Sequence, residues 1–197
     1  MDALQNDDVP YGDDWDSAAV AAGWAEVADQ KRPWRSQIRD HIAGIVATLP
    51  QHTRVLELGS GPGLLARRVL DRCPSIATYT LLDFSEHMLG LSRERLVAFP
   101  AVTFVLGTFK SDDCPCHVGG PFDCVLAMQS VHELRHKRHA TRLYEQIYQV
   151  LSIPGSIGDL NAVFHSWPIR EFRDRSGIPE SGRQDSRFSR RTKPHSF

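Results

Sequence analysis

No run of about 18 consecutive apolar residues occurs anywhere in the 197-residue chain, so the sequence offers no helix that could cross a bilayer. Cysteine is scarce as well: four in a chain of this length argue for reduced thiols and against a disulfide framework. Lysine and arginine are absent from the first sixteen residues, which carry six aspartates instead, the reverse of a secretory start. These absences make a cytoplasmic protein the expectation. A net charge of −1 gives the whole molecule no general attraction to nucleic acid or to acidic membranes. What remains is a chain with 41% hydrophobic residues, enough to bury the core of one globular domain.

The most informative stretch is residues 55–63, Val-Leu-Glu-Leu-Gly-Ser-Gly-Pro-Gly, followed by a helical run over residues 64–73. An apolar strand ends in an acid and opens into Gly59, Gly61 and Gly63. Alternate glycines remove each Cβ at a strand-to-helix turn, which permits positive φ and lets a ligand lie against bare backbone. Residues 79–83 then read as a second strand that ends in Asp83, twenty positions after Gly63. A carboxylate there is placed to accept hydrogen bonds from ribose hydroxyls.

A dinucleotide loop of the Gly-x-Gly-x-x-Gly type needs its third glycine at position 64, which is Leu64. Pro62 has no N–H for a phosphate, and Glu57 would repel one, whereas a carboxylate near an ammonium is favourable. The segment from Glu57 to Gly63 resembles the first motif of class I S-adenosylmethionine-dependent methyltransferases, whose ligand carries a ribose and an amino acid but no phosphate.

Further strands are expected at 102–107 and 122–128, both mostly apolar as in a sheet covered on two faces. Helices are expected between them. One contains Met88, Leu89, Leu96 and Val97 with Ser85 as its cap, and another runs over 138–151 with Leu143, Ile147, Val150 and Leu151 at helical spacing before Pro154-Gly155. The fold class is therefore α/β, a doubly wound, mainly parallel, Rossmann-like sheet. Two helices should precede it within residues 1–50, over 15–29 and 34–49, the second with Ile38, Ile42, Ile45, Val46 and Leu49 on one face. Tyr11 and Trp15 belong either to the core or, as in relatives, to a lid over the cofactor.

The core would occupy residues 51–164, with 156–164 as a weak fifth strand. Residues 165–197 hold seven arginines, one lysine and six serines with no alternating apolar run, so the last one or two strands of the family sheet look absent. An edge left open there would favour self-association. Residues 181–197 carry a net charge of +4, from five cations less Asp185, which reads as a solvated terminus and not as a nucleic-acid site.

One competing motif points elsewhere. His132-Glu133-Leu134-Arg135-His136 matches the His-Glu-x-x-His pattern of zinc hydrolases, with His139 and Glu145 as candidate third ligands. It follows a strand exit where the helix that such a site requires is not expected. Cys114-Pro115-Cys116-His117 lacks the distant second pair of a structural zinc site, and no metal is assigned.

The resemblance implies a methyltransferase that moves the methyl group of S-adenosylmethionine to a small-molecule acceptor. The alternative is a silent S-adenosylmethionine-binding or regulatory protein with an incomplete fold. Implied cofactor residues are Glu57 near the ammonium, Gly59, Ser60, Gly61 and Gly63 in the loop, and Asp83 on the ribose. Phe84 would stack on adenine, with Thr108 and Phe109 nearby, and Met128 and Gln129 would lie beside the methionine part. His132, near the acceptor, is the candidate base, since imidazole titrates near neutrality.

Overall fold

The computed structural model describes residue 15 and residues 17–110, 117–134, 137–152 and 162–164, all within the unit Met1–Ser166. Expectations for Tyr11, Cys114 to Cys116, Arg135, His136 and the 165–197 tail lie outside the described residues.

Two helices come first. Helix α1 (Ala18–Lys31) starts three residues later than expected because Ser17 caps it, its side chain accepting from the Val20 N–H, which leaves Trp15 outside the helix. Helix α2 (Trp34–Val46) stops short of Leu49, and the Thr48 hydroxyl donates to the Ile45 carbonyl just beyond its end. Ile38, Ile42 and Val46 are buried as their spacing requires, but Arg35 and Arg39 are buried too. The apolar period marks the inward face without showing that two cations share it.

Strands and helices then alternate: β1 (Arg54–Leu58), α3 (Leu64–Arg72), β2 (Thr78–Asp83), α4 (Glu86–Arg95), β3 (Val102–Leu106), β4 (Cys124–Leu126), a short 3-10 turn (Val131–Leu134), α5 (Lys137–Val150) and β5 (Ala162–Phe164). The strands form one sheet in the order β3-β2-β1-β4-β5, with every neighbouring pair parallel. Strand β4 is shorter than the expected 122–128. Phe122 forms an isolated parallel bridge with Leu151, and past Ala127 the backbone turns at Gln129, whose φ is 60°.

Alternation in the strands sorts the core. Leu56, Leu58, Leu82 and Val125 pack with Leu143, Ile147 and Val150 of α5, and with Phe109 and Phe122. Val55 and Glu57 point to the opposite face, toward which Tyr79 also projects. Strand β3 differs from the two-sided expectation: it is half-buried, as suits an edge, and Leu106 is exposed. Ser85 caps α4 as expected, its hydroxyl oxygen accepting from the Met88 N–H.

The amino-terminal end of the sheet is closed by charge. Arg54 donates to Asp123 from its backbone N–H at 2.8 Å, from Nε at 2.9 Å and from Nη2 at 2.7 Å, while Ser152 donates to the same carboxylate at 2.8 Å. The Arg54 guanidinium holds the Asp123 carboxyl down to about 2 against the opposing effect of burial. Because the folded pKa lies below the unfolded one, this stabilisation is present above about pH 4 and lost as pH falls through about 2. Asp123→Asn should cost about 1 kcal/mol at pH 7, discounted for the partial exposure of both partners. Urea denaturation at pH 7 and near pH 2 should show that gap closing on acidification; a gap that persists would separate the cost from the ion pair.

Candidate functional site

Successive strands move outward from β1 to β3 on one side and then from β4 to β5 on the other. The carboxyl ends of β1 and β4 thus part where the order reverses, and crevices of open parallel sheets form at such points. A cavity of about 430 Å³ lies there. The loop after β1, the end of β2 and the exit of β4 line one side, and α1 and α2 line the other.

The glycine loop has no N–H to spare. Gly59 and Ser60 both donate to the Leu82 carbonyl at 2.8 and 3.1 Å, Gly63 donates to Ser60 at 3.2 Å, and Gly61 donates to Asp83 Oδ2 at 2.7 Å. Pro62 has none to give. The three glycines take φ values of 62°, 55° and 73°, but for different reasons. A Cβ on Gly59 would collide with Ser130, and one on Gly63 with Ser92, whereas one on Gly61 would meet nothing within 4 Å. Gly59 and Gly63 permit close packing, and Gly61 presents bare backbone to the cavity. Gly63 itself does not line the cavity but precedes α3.

Two acids lie on the sheet side. Glu57 is buried, and Tyr79 donates its hydroxyl to Glu57 Oε2 at 2.7 Å. Burial pushes the Glu57 carboxyl up to about 8; the Tyr79 hydrogen bond opposes this, and Asp83 adds to it. Asp83 is also raised by burial, although the N–H groups of Ser85, Gly61 and Phe84 pull the other way. Asp83 therefore does more than face a ligand: its Oδ1 accepts from Ser85 at 3.0 Å while Oδ2 holds Gly61. The Ser85 hydroxyl in turn donates to the Trp15 carbonyl at 2.7 Å.

Of the sequence-expected residues, Glu57, Gly59, Ser60, Gly61, Asp83, Phe84, Phe109, Met128, Gln129 and His132 all line the cavity. Thr108 does not; its hydroxyl accepts from the Lys110 N–H at 3.1 Å. Ser60 Oγ and Gln129 Oε1 are buried without a hydrogen-bond partner. Such atoms mark places for ligand groups or water. Ser130 secures the β4 exit by donating to the Leu58 carbonyl at 2.6 Å.

His132 lies on the 3-10 turn, its Nε2 3.1 Å from Glu133 Oε1. His139 is buried and Glu145 exposed on α5, and among the described residues no three His, Cys, Asp or Glu side chains gather as for a metal.

Sequence reasoning expected the N-terminal helices to cover the cofactor side, with Tyr11 and Trp15 in the core or in a lid, but missed the cations on that wall. Trp24 and Lys31 of α1, Arg32 just after it, and Arg35 and Arg39 of α2 line the cavity, as does Trp15, whose ring stands edge-on to Trp24 at 5.8 Å. Arg39 is ion-paired with Asp29. Arg35 lies over the Trp24 ring, 4.8 Å from its centre, and burial with a contribution from Arg39 lowers its guanidinium to about 10. The only available signal was the placement of Arg35 and Arg39 one turn apart, on either side of Ile38.

Comparison with known proteins agrees with this architecture. A family model described as a methyltransferase domain matches residues 55–155. Among curated proteins, a non-reducing polyketide synthase of Penicillium shearii is 27% identical over 108 residues, covering 53% of this chain and 5% of that protein. This chain thus spans about a twentieth of that relative's length. Among solved structures, a putative S-adenosyl-L-methionine-dependent methyltransferase from Methanococcus maripaludis superposes with a TM-score of 0.59 at 19% identity, over 86% of this chain and 73% of that one. The CcbJ methyltransferase of Streptomyces caelestis gives a TM-score of 0.51 at 28% identity, over 60% and 46% respectively.

The raised Glu57 pKa has a definite sign. The folded protein keeps a proton that the unfolded chain releases above about pH 4.5, so stability falls as pH rises from there to about 8 and stays lower beyond. Glu57→Gln keeps an oxygen for Tyr79 and removes the titration. The variant should gain stability relative to wild type between pH 5 and pH 9, as read by chemical denaturation at both. A difference that does not change with pH would show that Glu57 is ionised in the free protein.

Proposed function

The chain belongs to the methyltransferase-domain family, and we propose that its cavity binds S-adenosylmethionine and that the protein transfers the methyl group to a small-molecule acceptor. The observation that carries this reading is the chemistry of the loop: the N–H groups of Gly59, Ser60, Gly61 and Gly63 are already bonded and Pro62 has none, while two buried acids face the space. Such a site disfavours a pyrophosphate and favours a ligand with cationic groups and hydroxyls.

The residues fit that ligand. Glu57 would take the ammonium and ionise in doing so, Gly61 would let the chain of the amino acid lie against backbone, and Asp83 has lone pairs left for ribose hydroxyls. Phe84 and Phe109 would flank the base, and Met128 and Gln129 the amino-acid part. When bound, the sulfonium supplies an activated methyl group. The protein's part is to orient the acceptor, exclude water and remove a proton where the acceptor carries one. His132, on the cavity rim, is the proposed base. The helices before residue 51 form the wall above this domain, and the free thiols of Cys73 and Cys124 favour a reducing, cytoplasmic setting. Self-association along the β5 side remains part of the proposal.

Calorimetry with S-adenosylmethionine and S-adenosylhomocysteine, followed by a methyl-transfer screen, separates an enzyme from a silent binder. Asp83→Asn should weaken S-adenosylhomocysteine by about tenfold to a hundredfold, the equivalent of roughly 1.5–3 kcal/mol for a charge-assisted hydrogen bond. Unchanged affinity would remove Asp83 from the ligand. Once an acceptor is found, His132→Ala should lower turnover by roughly 10²–10⁴ with S-adenosylhomocysteine affinity unchanged. Full turnover in that variant would show that the acceptor needs no base from His132.

A further inference from the structure

The sheet edge formed by β3 lacks the devices that keep strand edges apart. Residues 96–109 contain no Asp, Glu, Lys, Arg or His, and the proline among them, Pro100, precedes the strand. Charged side chains or a proline within the strand are the usual guards against edge-to-edge pairing. Leu106, in the strand itself, is 55% exposed.

The register with β2 fixes which backbone groups this edge presents. Tyr79 donates to the Ala101 carbonyl at 2.9 Å and Gly107 donates to the Asp83 carbonyl at 2.9 Å, so the odd-numbered residues of β3 are bonded inward. The N–H and C=O groups of Val102, Phe104 and Leu106 therefore point away from the sheet. Among the described residues, no backbone hydrogen bond from a loop or helix reaches these three.

We propose that β3 is a homodimer contact, pairing antiparallel with β3 of a second copy of this chain about a two-fold axis at Phe104. That axis sets Phe104 opposite Phe104 of the partner subunit, and Val102 opposite Leu106 of the partner subunit. Each residue of these pairs has both its N–H and its C=O on the facing side, as the hydrogen-bonded pairs of an antiparallel ladder require. A second copy fits because the strand is apolar in both directions from Phe104: it meets itself with no like charges opposed, and an aliphatic side chain covers Leu106. Arg93, whose guanidinium lies over the Phe104 ring at 5.5 Å, is already paired with Glu86 at 2.6 Å and brings no unmet charge to the axis. No residue of β3 lines the cavity, so the contact is separate from the site and lies across the sheet from β5.

Sedimentation velocity and residue-resolved hydrogen exchange on the full chain test the contact. In wild type the mass should rise toward that of two chains with concentration, and the amides of Val102, Phe104 and Leu106 should exchange about tenfold or more slowly in the concentrated sample. Thr103 and Val105, bonded to β2, should be protected throughout. Val102→Lys/Leu106→Lys sets like charges opposite one another and should weaken association by about tenfold or more. Val102→Glu/Leu106→Lys changes the strand as much but sets opposite charges together, and should restore it. A wild type that stays monomeric overturns the proposal. So does association that survives in Val102→Lys/Leu106→Lys, which places the contact elsewhere, and so does slow exchange of the three amides in dilute monomer, which shows that the chain covers its own edge. If both variants misfold, the exchange of the three wild-type amides decides by the same criteria.

Discussion

The Asp83 carboxylate is the point on which the site depends. It ends β2, yet its two oxygens reach forward to the Ser85 N–H and across to the Gly61 N–H, so one side chain fixes both the start of α4 and the loop after β1. Through the Ser85 hydroxyl the same link reaches the Trp15 carbonyl and so the segment that precedes α1. A buried carboxylate is stable only when N–H groups surround it, and here those donors belong to the elements that shape the cavity. The position of this one acid couples strand register to loop shape.

Much of this was legible in the sequence, because the decisive signals were local. The alternation of glycines, the acid before them, the acid at the end of the next strand and the serine cap of α4 each follow from rules that operate within a few residues. Boundaries failed where distant partners intervened. Strand β4 is short because Asp123 is held by Arg54 and Phe122 bridges Leu151, neither of which the sequence around 122–128 reveals. Thr108 was named from its position after a strand, but its hydroxyl serves its own turn. The arginines of α2 were invisible for the opposite reason: helical periodicity marks apolar positions, and nothing in a period tells which long polar side chain turns inward with them.

The charge distribution of the cavity joins the two halves of the structure. Glu57 and Asp83 come from the sheet, whose interior raises both carboxyls, and Arg35 comes from a helix whose burial lowers its guanidinium. Each of these groups is strained electrostatically in the free protein, in directions that a ligand carrying both an ammonium and a carboxylate would relieve. The same groups would resist a neutral ligand of equal size, because its binding would leave them buried and unpaired.

Gly61 is held from both sides. Its N–H is bound by Asp83, and its carbonyl accepts the Ser92 hydroxyl of α4 at 2.7 Å, although its Cα faces open space. The loop's conformation is therefore set before any ligand arrives, and little chain entropy remains to be lost on association. With that step already complete, ligands that share this edge should associate at similar rates, and their residence times should carry the differences in affinity.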